Sequence, residues 1–389
     1  MKWIFFISLY SFSLFECSYS QNIENSPYEW KYVTIAHKLL QQEQIISDLP
    51  SEEFDVKYRL IDSLIDNASI KIQKVLKGKP LNSRKKSMNI LNHIDITLSE
   101  MSFKTAVRTE YLFQALEPVK IDRVSPTYAY KDKRRNNDSK YYKYSTYIND
   151  KRVTIYETER QKEYFDINPS DYFYPIDCDL GAYLYLAIAE VNNLEMHLIQ
   201  VPSHSLVRLY YGKNKFVNWD NNTAEYFENI EIQNGLTYTS STRLKDRELV
   251  QGKYLKNLSD TEVIGYHLSF LYQQLYEKNK FLEAREMLEK SLSSYPDSPM
   301  CMNNLAWVLV SVDKFDNPSD NMLALKLSKK AYSVLPNKLE YAITHSCAYA
   351  ANGDFKRAKE IQLNGPNLRY LINGFNNSKK CSELYSKKK

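Results

Sequence analysis

The chain has no apolar run long enough to cross a bilayer, which takes about 20 residues. It also lacks any Cys-x-x-Cys spacing, so nothing in the cysteine pattern suggests zinc. The 5 cysteines (Cys17, Cys178, Cys301, Cys347 and Cys381) are too scattered along 389 residues to make a disulfide framework. An excess of one charge is missing as well. The 52 Lys and Arg against 47 Asp and Glu leave +5, part of which comes from the closing run Lys387 to Lys389. A nucleic-acid role calls for a concentrated basic face, and so small an excess does not demand one. Glycine is scarce, at 9, and tyrosine abundant, at 32. Codon bias in an AT-rich genome yields such a mixture as easily as selection does, so it carries no functional weight.

The length allows two or three domains and a sizeable core. Hydrophobic residues at 43% and charged residues at 25% are ordinary for a globular chain, which excludes wholesale disorder. The N-terminus has the order of an export signal: Lys2, then the apolar run "WIFFISLYSFSLF", then Ser18 and Ser20 at A-x-A-like positions before Gln21. That run is too short for a membrane helix. The sequence therefore predicts a signal peptide over 1–20 and an exported chain, periplasmic or extracellular. Lipid anchoring at Cys17 is disfavoured, because Glu16 stands where a lipobox needs a small residue.

Residues 28 to about 120 read as helical. Phe54, Tyr58, Ile61, Leu64 or Ile65, Ala68 and Ile72 recur at three- and four-residue steps, and Gly78 and Pro80 stop the run. Met88, Leu91, Ile94 or Asp95, and Leu98 continue the pattern; His93 has no second ligand at i+4 and reads as an ordinary helix histidine. The stretch "YKDKRRNNDSKYYKYSTYINDKR" is basic and tyrosine-rich. Basic-aromatic stretches can bind single-stranded nucleic acid, but an exported chain seldom meets that partner, so 130–152 reads as a solvated loop. It leads to a strand at "KRVTIYETE".

From Thr261 the helices return with a period. Ala284, Leu288, Ser291 and Pro296 are spaced 4, 3 and 5 apart, and Ala324, Ser328, Ala331 and Pro336 repeat the same spacings. Gly353 and Ala358 fall where a third copy places them. Small residues let paired helices approach closely, and Pro ends the second helix, a pattern that fits tetratricopeptide hairpins better than a plain helical bundle. So few repeats cannot build a long solenoid; the unit is expected to cap or clamp what precedes it.

The chemistry concentrates between Ile176 and Asn222. "DLGAYLYLAIAEVNN" is helical, and Cys178 stands at its start, where free backbone N–H groups and the helix dipole favour a thiolate. Taken alone, such a cysteine is as readily a small buried hydrophobe. Downstream, "EMHLIQV", "HSLVRLYY" and "KFVNW" are strand-like, with "GKN" as a turn. If GKN is a three-residue loop pairing Tyr211 with Lys215, opposite residues sum to 426. Asp220 then lies across from Leu206 with His204 as its diagonal neighbour, within reach for a carboxylate to orient an imidazole. An even-length loop would separate them onto opposite faces. His197 has no matched acid and reads as structural, Trp219 as core packing, and Arg208 as one half of a buried ion pair.

"DCDLGAYLYLAIAE", "VPSHSLVRL" and "VNWDNN" resemble the Cys, His and Asp segments of the transglutaminase-like superfamily, in particular the branch whose core precedes tetratricopeptide repeats. "GKYLKNLSDTEVIGYHLSFLYQQ" resembles that branch's connector, and the resemblance runs from about Ile61 to Gln362. It implies a papain-like core with Cys178 as nucleophile, His204 as base and Asp220 as orienting acid. The expected fold is α+β: an N-terminal helical region (21–123), a helix-against-antiparallel-sheet core (124–260, its helical part beginning upstream), helical repeats (261–364) and a basic tail (365–389). The expected activity is acyl transfer on amide bonds of a protein or peptide substrate, with hydrolysis ranked above cross-linking and no cofactor or metal. A non-catalytic scaffold that binds protein or cell-wall partners through the repeats is the alternative. Ser205, where the family more often has an aromatic residue, and the long basic insert before Cys178 depart from the family pattern.

Overall fold

The computed structural model describes residues 28–105, 111–120, 128–131, 140–148, 151–158, 172–201, 204–234, 244, 254–312, 315–336 and 338–364. The expected signal peptide, Cys17 and the basic tail lie outside these residues. Three long helices come first: α1 (Ile35–Ile46), α2 (Ser51–Leu76) and α3 (Arg84–Glu100). In α2 the apolar stripe from Phe54 to Ile72 is buried throughout. The helix ends in a left-handed Lys77 followed by Gly78, so the stop signal acts where the sequence placed it.

Short elements follow: β1 (Phe103–Thr105), α4 (Leu112–Ala115) and β2 (Val119–Lys120). Strands β3 (Tyr128–Lys131), β4 (Lys140–Ile148) and β5 (Lys151–Thr158) form an antiparallel sheet of their own. This corrects the expectation of a loop: "KYYKYSTYI" pairs along its length with "KRVTIYET". Tyr and Thr are strong strand formers, and their alternation outweighs the polar composition that suggested a loop.

Strand β6 (Tyr172–Ile176) leads into α5 (Cys178–Val191), and the main sheet is then built from β7 (Met196–Val201), β8 (His204–Gly212), β9 (Lys215–Asp220), β10 (Glu225–Phe227) and β11 (Asn257–Leu258), with α6 (Asn229–Gln233) beside it. Its order is β10-β9-β8-β7-β11, antiparallel throughout. Every residue of α5 from Leu180 to Ala189 is buried. A helix apolar all round needs cover on all sides; α5 packs against α1 and α2 and against β7 and β8 of the sheet. Val207, Leu209, Val217 and Trp219 join that core, whereas Ile199, Val201, Leu206 and Phe227 form a second cluster on the other face of the sheet.

The remainder is helical: α7 (Asp260–Glu277) with α8 (Phe281–Ser294), α9 (Pro299–Ser311) with α10 (Pro318–Val334), and α11 (Leu339–Ala351) with α12 (Phe355–Asn364). Ala284 packs among Leu268, Leu271 and Leu275 of α7, and Ala324 among Met302, Leu305 and Leu309 of α9. The carbonyl of Ala358 accepts from Ser346 Oγ of α11 at 2.8 Å. Each small residue thus faces the first helix of its own hairpin. Gly265 serves the same close approach: a Cβ there would meet the Ser291 carbonyl at 2.8 Å. The first hairpin docks on α1, with His267 Nε2 2.9 Å from Glu43 Oε1 and Lys278 Nζ 2.6 Å from Asp48 Oδ2. The protein is mixed α+β, and among the described residues no helix is long and apolar enough to cross a membrane.

Candidate active site

The hairpin between β8 and β9 decides whether the candidate acid and base meet. Val207 pairs with Trp219, Arg208 with Asn218, Leu209 with Val217 and Tyr210 with Phe216, the register expected from the sequence. The turn differs in detail. Gly212 pairs with Lys215, leaving a two-residue turn with Asn214 left-handed, and an irregularity at Tyr211 absorbs the extra residue. The bulge preserves the parity on which the argument depends. His204 Nε2 lies 3.0 Å from Asp220 Oδ2, and both side chains are buried.

Side chains alternate along β8, so His204, Leu206 and Arg208 leave it on one face while Ser205, Val207 and Leu209 leave it toward α5. Cys178 opens α5 and comes to the strand from the α5 side, where its sulfur lies against the Ser205 backbone N–H. Asn221, the residue after Asp220, donates from Nδ2 to the Cys178 carbonyl at 3.2 Å. The thiol therefore touches the residue after the candidate base, its carbonyl touches the residue after the candidate acid, and the His204–Asp220 pair stands at the same strand ends.

The expected thiolate is not favoured. Burial pushes the Cys178 thiol well above its ordinary value, and the Asp179, Asp177 and Asp220 carboxylates push it in the same direction. The helix-start N–H groups that would have stabilised a thiolate are already engaged: those of Asp179 and Leu180 both donate to Asp177 Oδ1 at 3.0 Å, making Asp177 the N-cap. Asp177 is itself pushed up to about 8, by burial and then by Asp179. Asp179 is raised by burial, against the pull of Ser205, His204, Tyr266 and His267. Cys178, half-buried, thus lies in a crowded acidic cluster whose carboxyl oxygens and sulfur are all within 4.8 Å of one another.

Sequence reasoning missed Asp177, Asp179, Asn221, Tyr266 and His267, the last two contributed by the first helix of the hairpin array. The Tyr266 hydroxyl reaches both Asp179 oxygens at 3.2 and 3.3 Å. Only the repeated acid in "DCD" hinted at any of this, since the other partners are distant in sequence. His197 stays away from the thiol, beside Glu195 and the Tyr210 ring, and is half-buried. Trp219 is core, its Nε1 donating to the Tyr185 hydroxyl at 3.3 Å. Arg208 is buried but corrects the expected ion pair: it donates to the Asn218, Asn257 and Asn229 side-chain oxygens and to the Leu255 carbonyl, at 2.7 to 3.0 Å. Neutral oxygens on four sides satisfy the guanidinium fork without a carboxylate. Cys178 and Cys301 are free thiols, whereas Cys347 is disulfide-bonded. The chain matches no family model, no curated protein and no solved structure.

Proposed function

We propose that the chain is an exported thiol enzyme, transglutaminase-like in its core and tetratricopeptide-like in its helical array, that acts on amide bonds of a protein or peptide substrate. The observation that carries this reading is the buried His204–Asp220 pair, 3.0 Å apart at the strand ends that the start of the Cys178 helix also reaches. With Nε2 beside Asp220, the reading requires Nδ1 to take the thiol proton, and because the His204 side chain leaves β8 on the face away from α5, it requires the ring to reach the sulfur around the strand end. Because the resting thiol is held protonated, proton transfer to His204 has to accompany attack rather than precede it. The sulfur adds to the amide carbonyl, the imidazolium returns the proton to the leaving amine, and water or a second amine then attacks the thioester with His204 again as base. The disulfide at Cys347 supports the exported setting, since such bonds persist in oxidising compartments.

A second reading has a specific observation in its favour. The raised thiol, set against the Ser205 backbone and flanked by Asp177 and Asp179, suits a vestigial core whose helical hairpins dock a partner. Release of ammonia or amine from a panel of peptide amides and glutamine-containing peptides separates the two. The enzyme reading expects turnover by the intact chain that vanishes in Cys178→Ala. Equal background release by both chains across the panel favours the scaffold.

A further inference from the structure

The Tyr266 hydroxyl stands at a junction of three elements. It donates to Asp179 of α5 at 3.2 and 3.3 Å, and Ser205 of β8 and Gln200 of β7 lie beside it. Its helix is fixed independently. Gly265, the preceding residue, lies too close to Ser291 and Ser294 of α8 and to Tyr295 just after it for any side chain, and the following residue, His267, pairs with Glu43, whose carboxylate also caps α4 through the Leu112 and Phe113 N–H groups. Tyr266 is thus anchored from both sides before it touches the site.

We infer that Tyr266, carried by the first helix of the hairpin array, is a positioning residue whose hydroxyl holds the Asp179 carboxylate against Cys178, which makes the array part of the thiol site. The inference rests on reading Cys178 as the reactive group. Asp179 is the largest charge acting on the thiol, ahead of Asp177 and Asp220. Tyr183 of α5 and Tyr266 itself also face the sulfur, and His204 of β8 and His267 of α7 act on Asp179. Held in place, Asp179 opposes thiolate formation; released toward solvent, it exerts a weaker field on the sulfur. A polar chain therefore links the array to the reactivity of the thiol.

The test is the pH profile of Cys178 alkylation by iodoacetamide in the folded full-length chain, read by mass spectrometry of the Cys178 peptide. The intact chain is expected to titrate above an ordinary thiol, about 8.5. Asp179→Asn should lower the midpoint and raise the rate several-fold at fixed pH. Tyr266→Phe should lower it by less, and should add nothing in an Asp179→Asn background. A midpoint at or below the ordinary value in the intact chain, which needs no variant, overturns the inference. So does an unmoved midpoint in Asp179→Asn, or an equal shift from Tyr266→Phe in both backgrounds. Alkylation reads the thiol whether or not any amide is turned over, so failure of this inference is distinguishable from failure of the enzyme reading.

Discussion

Gly181, in the first turn of α5, faces Asn221 so closely that a Cβ would stand 2.5 Å from its Nδ2. The backbone at Gly181 is helical, so the glycine is required for space rather than for conformation. Asn221 is buried and bonded to the Cys178 carbonyl, which limits where it can go. Gly181→Ala should therefore destabilise the protein by about 1 to 3 kcal/mol through overpacking. Urea denaturation checks this, and an unchanged midpoint would mean that Asn221 moves aside freely.

The helical hairpins make a parallel prediction. Ala324 is fully buried among the side chains of α9. Ala324→Phe should force the pair apart and cost about 1 to 3 kcal/mol, seen as a lower melting temperature. No change in melting would contradict the close approach of α9 and α10.

Acid stability should depend on His345. Burial, with Lys329 nearby, lowers its pKa from 6.5 to about 4, and the ring lies between Tyr332 and Tyr349 with Nδ1 3.0 Å from Ser328 Oγ. A histidine that resists protonation in the fold contributes stability that is complete above its unfolded value, near 6.5, and is lost as pH falls toward 4. The loss amounts to about 3 kcal/mol. Glu190 works the other way: burial raises it to about 7, so its contribution fades as pH rises from 4.5 through 7. Comparing the intact chain with His345→Gln isolates the histidine. The stability difference between them should shrink in favour of the variant from pH 7 to pH 4, and a constant offset would show that His345 titrates normally.

What the sequence made legible was whatever depends on local period or parity. The stripe of α2, the register that puts Asp220 beside His204, and the repeated small residues at Ala284, Ala324 and Ala358 all follow from spacings within one element or one hairpin. The electrostatics of Cys178 were not legible, because they depend on Tyr266 and Ser205 arriving from other elements and on Asp177 taking the helix-start N–H groups first. The Arg208 cage failed for a related reason. A buried guanidinium suggests a carboxylate, yet three asparagines spread from Asn218 to Asn257 supply neutral oxygens that no pairwise pattern announces. The strand at Lys140–Ile148 was hidden by its charge, which composition reads as solvated loop.

The central claim is that Cys178 attacks with His204 as its base, and covalent trapping tests it without knowledge of the substrate. A peptidyl acyloxymethyl ketone, which presents an electrophilic carbonyl to an active-site thiol, is incubated with the intact chain, with His204→Ala and with Cys178→Ala, and adduct formation is followed by mass spectrometry. The account predicts a single adduct on Cys178 in the intact chain, none in Cys178→Ala, and a rate about 10² to 10⁴ lower in His204→Ala. Equal labelling rates with and without His204, or no adduct on Cys178 at all, would contradict it.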